Sequence, residues 1–222
     1  MTTSGTSTWN LPIDEIIEDA LEHVGGEQTS GDEMKSARRS LNLVFRDIET
    51  RGYPLAQLRE ISVPMIVGTT EYTLDSDIMA VMDLVIERDD VDIGLTRLSL
   101  FDYNKIAPKT QTGRVIQYTS NRQRDAIVLK VWPVPDTVDT IKGWVVKRIE
   151  DASRSAQDAD LNVRFLPAII AGLAYFMSFK RSGISLEYRV QLKGHYEELI
   201  GRALEEDKER TSLRAVPRLR LS

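Results

Sequence analysis

Apolar residues in the first fifty positions recur at three- and four-residue intervals, the period of a helix with one buried face. Leu11, Ile13, Ile16, Ile17, Ala20, Leu21 and Val24 form the first such series. Asn10 stands before it as a cap, Pro12 as a first-turn residue, and Asp14 and Glu15 as acids favoured by the helix dipole. Gly25-Gly26 supplies the positive-φ stop. A second helix is predicted from a cap at Ser30 or Asp32, through Met34, Ala37, Leu41, Val44, Phe45 and Ile48, to Gly52.

From Ile61 the period shortens. ISVPMIV, EYTL, MAVMDLVIE, LTRLSL, RVIQYTS, AIVLKVW and IKGWVVKRI are short β-branched runs broken by Gly, Asp, Asn and Pro, the pattern of strands and turns. Within this stretch Ser99 to Ala107 reads as a helical turn that Pro108 closes. After the polar segment EDASRSAQDAD the helical period returns in Phe165, Ile169, Ile170, Leu173, Ala174 and Met177. Pro167 fits only in the first turn, so this helix should start near Arg164 or later. Gly183 separates it from a last helix running from about Ser185 through Leu192, Tyr196, Leu199, Ile200, Ala203 and Leu204.

The pattern predicts an α+β protein in which N- and C-terminal helices form one helical bundle and a β-rich insert occupies the middle. The expected divisions are helices over 1–60, the β-rich insert over 61–150, returning helices over 151–208, and an extended tail over 209–222. The apolar run from Phe165 to Phe179 is about fifteen residues long where a bilayer span needs about twenty, so it reads as a buried helix and no membrane partner is expected.

Composition narrows the chemistry. The chain has 222 residues with 41% hydrophobic and 28% charged content, enough for a sizeable core. The net charge is -5, which gives the body as a whole no electrostatic reason to bind nucleic acid. There is no cysteine, which removes thiol catalysis and Cys-based zinc sites. The two histidines, His23 and His195, have no metal-binding spacing and read as structural or surface residues. No nucleophile elbow, P-loop or dinucleotide fingerprint occurs, and no cofactor is expected. Asp75 with Asp77, and Asp89, Asp90 and Asp92, lack the order of a calcium loop and read as turns between strands. Trp9, Trp132 and Trp144 read as packing anchors, Trp132 as a rigid plug beside Pro133 and Pro135. The start, MTTSGTSTWN, has neither the basic nor the apolar region of a secretory signal, so synthesis in a cytoplasm is expected.

Two segments are candidates for binding partners. On the second helix Arg38, Arg39 and Arg46 form a charged face that is either solvated or turned to a neighbouring subunit. In the tail, Arg214, Arg218 and Arg220 alternate with Leu213, Val216, Leu219 and Leu221 and no acid intervenes. A disordered basic end is the alternative, but the alternation suits an extended peptide that docks by backbone pairing, apolar knobs and Arg–carboxylate forks, inserted into a neighbouring subunit.

The order of helix, Gly-rich break, helix ending in RGYPL, strands with EYTL, then LSLFDYNKIAP, GRVIQYTSNR, IVLKVWPVPD and FLPAIIAGLAYFMSFK resembles the head-to-tail adaptor, or tail tubular, family of short-tailed bacteriophages. The resemblance covers about Leu11 to Lys208 and is sharpest over Gly113–Tyr118, Leu129–Asp136 and Leu166–Lys180. It implies a structural virion protein at the head–tail junction, not an enzyme. Such a protein forms a ring, typically dodecameric, between the portal protein and the tail nozzle protein, and lines part of the channel through which viral DNA leaves without sequence-specific binding. A C-terminal extension onto the portal is similar in character to Arg214, Arg218 and Arg220. An acidic balance suits a conduit whose wall repels the DNA backbone. Two other readings stay open from the residues alone: a wall-degrading virion enzyme using acids such as Asp14, Glu15 and Glu18, and a small DNA-binding regulator using Arg38, Arg39 and Arg46.

Overall fold

A computed structural model describes residues 9–25, 31–52, 55–153 and 157–207. The chain is α+β and divides by its contacts into two compact units, Met1–Val44 with Asn162–Ser222, and Phe45–Leu161.

The first unit is helical. Helix α1 (Ile13–Glu22) buries Ile13, Ile16, Ile17, Ala20 and Leu21. It begins later than the sequence predicts: Pro12, not Asn10, holds the cap position, and the Asn10 Oδ1 accepts only the adjacent Leu11 N–H at 3.0 Å. The reason is Pro12 itself, because a residue preceding proline is pushed out of the helical region and Leu11 therefore cannot open the helix. Helix α2 (Gly31–Arg51) contributes its first two thirds to this unit, with Ala37, Leu41 and Val44 buried. After the short α3 (Leu100–Lys105) of the other unit, α4 (Leu166–Ser178) starts with proline in its first turn as the sequence requires and is buried along most of its length. Helix α5 (Leu186–Glu206) buries a single stripe, Leu192, Tyr196, Ile200 and Ala203, and its Ser185 cap accepts the Tyr188 N–H at 3.2 Å. Gly172 on α4 lets the helices come close: a methyl there would lie 2.8 Å from the Tyr196 ring and 3.1 Å from Val44. Polar ties lock the edges. Arg38 meets Asp14 at 3.4 Å, the Lys180 Nζ donates to Ser36 and Ser40, and the Tyr188 hydroxyl donates to the His23 carbonyl at 2.8 Å. No described helix is long and apolar enough to cross a membrane.

The second unit is mostly β. One sheet has the order β1 (Leu58–Pro64), β10 (Thr140–Lys147), β3 (Ile78–Arg88), β4 (Val91–Gly94), all antiparallel. The other has the order β2 (Glu71–Thr73), β8 (Ile127–Trp132), β7 (Gln117–Arg122), β5 (Thr96–Arg97). A two-stranded pair joins β6 (Thr112–Gly113) to β9 (Val134–Pro135) in parallel. The inner faces of the two larger sheets share one apolar cluster that includes Ile78, Leu84, Ile86, Ile141 and Val145 from the first and Tyr72, Tyr118, Leu129 and Val131 from the second. Helix α3 (Leu100–Lys105) is the turn predicted in SLFDYNKIA, and the Ser99 side chain caps it by accepting the Asp102 N–H at 3.0 Å.

Alternation along β10 settles the tryptophans. Ile141, Gly143 and Val145 point inward, so Trp144 between them points out and is 52% exposed, while Trp9 is 65% exposed. Neither is a core anchor. Trp132 is half-buried, and its indole N–H donates to the Pro108 carbonyl at 3.0 Å.

Candidate functional site

The candidate residues named from the sequence fall in three places. Leu213, Arg214, Val216, Arg218, Leu219, Arg220 and Leu221 lie outside the described residues. Arg38, Arg39 and Arg46 all lie on α2, the first two in the part assigned to the helical unit and Arg46 in the part assigned to the β unit. Arg38 is held by Asp14; Arg39 is exposed.

Arg46 is the centre of a clasp in the β unit. Its guanidinium takes both oxygens of Glu49 at 2.8 and 2.7 Å, the Ile149 carbonyl at 2.8 Å and Asp151 at 2.7 Å. Glu49, 6% exposed at its side chain, also accepts the Ile149 N–H at 2.7 Å. These bonds tie the C-terminal end of α2 to the strand-like segment after β10. Beside them lies an open polar cleft of about 580 Å³. Several of its side chains are tied within the unit: Lys147 pairs with Asp77 at 2.7 Å, Asp151 with Arg46, and the Gln57 amide donates to the Asp160 carbonyl at 2.9 Å. The Asp77 bond holds Lys147 above the ordinary lysine pKa.

A second clasp secures the open end of the first sheet. The Arg88 Nε donates to Asp139 at 2.8 Å and one terminal amino group to the same carboxylate at 2.6 Å, with Asp136 at 3.2 Å. Asp139 is 5% exposed at its side chain. The fork raises the Arg88 pKa above its already high value, through the Asp139 bond first. Nothing in the sequence marks this pair, which is 51 residues apart and joined only by the β3–β10 register.

Of the acidic clusters, Asp75, Asp77, Asp89 and Asp90 lie in turns as their composition predicts, whereas Asp92 lies in strand β4. Asp89 and Asp90 have φ of 52° and 60° and make the two-residue turn between β3 and β4, where both central residues need positive φ. The Asp75 carbonyl accepts the Ile78 N–H at 3.1 Å. Among the described residues no group of three or more His, Cys, Asp or Glu is placed to hold a metal ion. His23 and His195 are both exposed, His23 within 4.0 Å of Asp19.

Each unit is tied by its own ion pairs, and Phe101, Val138, Leu186 and Val190 are exposed. The particular family is specific: residues 4–219 match the model of the SU10 adaptor protein, and the chain belongs to that family. Among solved structures, a chain in the neck of an empty GTA particle computed with C6 symmetry has 14% identity, covers 91% of this chain and 92% of that chain, and superposes with a TM-score of 0.32. No curated protein matches the chain.

Proposed function

We propose that this chain is a structural, non-enzymatic subunit of a virion's head–tail junction, an adaptor between the portal protein and the tail nozzle protein. The observation that carries the reading is the adaptor-family match over nearly the whole chain. The finer parts of the reading are ours. Copies form a closed ring, dodecameric, in a phage of the short-tailed kind, and the ring lines part of the channel through which the genome leaves. The N- and C-terminal helices, within 1–60 and 151–208, act as one bundle that builds the ring, and the 61–150 insert faces outward or toward the tail. The segment 209–222, through Leu213, Arg214, Val216, Arg218, Leu219, Arg220 and Leu221, reaches a neighbour.

A ring needs two different faces per subunit that meet heterologously and close by rotation. Of the helix arginines, exposed Arg39 is the one available for such a face, since Arg38 and Arg46 already neutralise carboxylates of their own units. That same neutralisation argues against a DNA-binding regulator built on the three. The balance of -5 supports a channel wall that lets DNA slide.

Mixing the purified chain with assembled portal and imaging by electron microscopy tests the proposal. The expected result is a ring on one face of the portal with an open axial channel. A chain that stays monomeric and unbound beside intact portals overturns it.

A further inference from the structure

The β3–β4 hairpin leaves one ladder edge open. β4 ends its sheet and pairs with β3 alone. Arg88 and Val91 flank the two-residue turn, so Ile86 and Ile93 exchange the next pair of bonds, and the Asp92 and Gly94 backbone groups point away from the sheet. The two faces of this edge differ. Asp92 lies on the face of Glu87 and Lys142, while Ile93 lies on the core face beside Ile86, with Val91, 55% exposed, beyond it. Glu87 is paired with Lys142; Asp89, Asp90 and Asp92 have no ion-pair partner among the described residues.

The chain itself carries a segment of the complementary pattern. In Arg218-Leu219-Arg220-Leu221, an extended backbone puts both arginines on one face and both leucines on the other. The 15 residues from 208 to 222 follow the end of α5 and span up to about 50 Å when extended. We propose that this C-terminal segment of one copy adds as a strand to the β4 edge of a second copy. Its arginines face Asp89, Asp90 and Asp92, and its leucines extend the apolar side beside Val91 and Ile93. The other edges fit this occupant less well. β1 carries Arg59 and ends on Pro64, which has no N–H to give, and β2 and β5 have three and two residues. The proposal rests on the ring reading only in needing two copies, and it names the acceptor that reading left open.

The absence of cysteine makes the test direct. One chain carries Gly94→Cys, where an added side chain meets open space, and another carries Ser222→Cys, in phase with Arg218 and Arg220. The two full-length chains are mixed and treated with a short bismaleimide. The expected product joins the two chains. Its yield falls about tenfold when Asp89, Asp90 and Asp92 are all changed to Asn, the combined loss of three exposed charge contacts, and falls again at about 0.5 M salt. A control with Ser62→Cys on β1 in place of Gly94→Cys should give only background. Equal yield from that control, or a yield unmoved by the Asn changes, overturns the proposal. So does a chain bearing both cysteines that links only within itself.

Sedimentation of the same samples separates this proposal from the ring. Rings that form without the Gly94–Ser222 product overturn the docking and leave the ring reading standing. The product without rings supports the docking and tells against the ring.

Discussion

Gly143 is the position where the β unit has least tolerance, and replacing it with alanine should be severely destabilising. It sits in β10 between two partners, opposite Ile61 on β1 and Leu84 on β3, just before the register shift at Trp144 and Val145. A methyl at Gly143 would lie 2.1 Å from the Asp83 carbonyl oxygen, 2.7 Å from the Leu84 Cδ2 and 3.0 Å from the Leu84 Cα. Two of these atoms are backbone, so no rotamer change relieves them. Restoring ordinary contact requires β3 and β10 to separate by about 1 Å, which weakens about two ladder hydrogen bonds at ~1 kcal/mol each and adds an overpacking cost of ~1–3 kcal/mol. The expected loss is about 3–5 kcal/mol, a large part of the stability of an ordinary domain. Urea unfolding followed by tryptophan fluorescence reads it well, because Trp132 and Trp144 lie in the affected unit. Gly94→Ala, where a methyl meets open space, is the matched control and should stay within about 0.5 kcal/mol. A Gly143→Ala protein within about 1 kcal/mol of the parent would refute the close approach of β3 and β10 on which the fold description depends.

Arg88→Ala strands the buried Asp139 carboxylate. With Arg88 itself 27% exposed the cost should be about 2–3 kcal/mol in urea unfolding, and Asp139→Ala added to it should recover part of that, whereas a larger loss in the double variant would contradict the pairing. Ser99→Ala removes the cap of α3 and should lower stability by about 1 kcal/mol, with faster amide exchange confined to Leu100–Lys105; exchange unchanged there would contradict the cap. Burial, then the charge of Arg39, holds Lys180 below its free value of 10.5, so the unfolded chain binds the proton more tightly. Stability of the parent relative to Lys180→Met should therefore rise as pH increases toward 10.5, and a difference that falls on that approach would contradict the assignment.

The helices were legible because their information is local. The three- and four-residue spacing marks α1, α2, α4 and α5, Ser99 marks α3, Gly25 takes positive φ just past α1, and Gly183 takes it in the turn between α4 and α5. The error at the start of α1 was local too: the restriction that Pro12 places on Leu11 outranks the capping preference of Asn10. Strand existence was mostly legible, but β4 was hidden, because VDIG is four residues behind an aspartate run that reads as turn alone. The outward direction of Trp144 follows from the alternation in IKGWVV, which outranks the burial preference of tryptophan as a type. The clasps were beyond reach of the sequence. Arg46 on α2 finds Ile149 across 103 residues and Arg88 on β3 finds Asp139 across 51, and only tertiary packing brings each pair together.

The central claim concerns where this chain sits, and electron cryomicroscopy of the intact head–tail junction tests it most directly. The account predicts a closed ring of this chain between portal and nozzle, its helices around the channel, with a strand of extra density along each β4 edge that continues from a neighbour's C-terminus. A junction in which portal meets nozzle with no copy of this chain between them would contradict it.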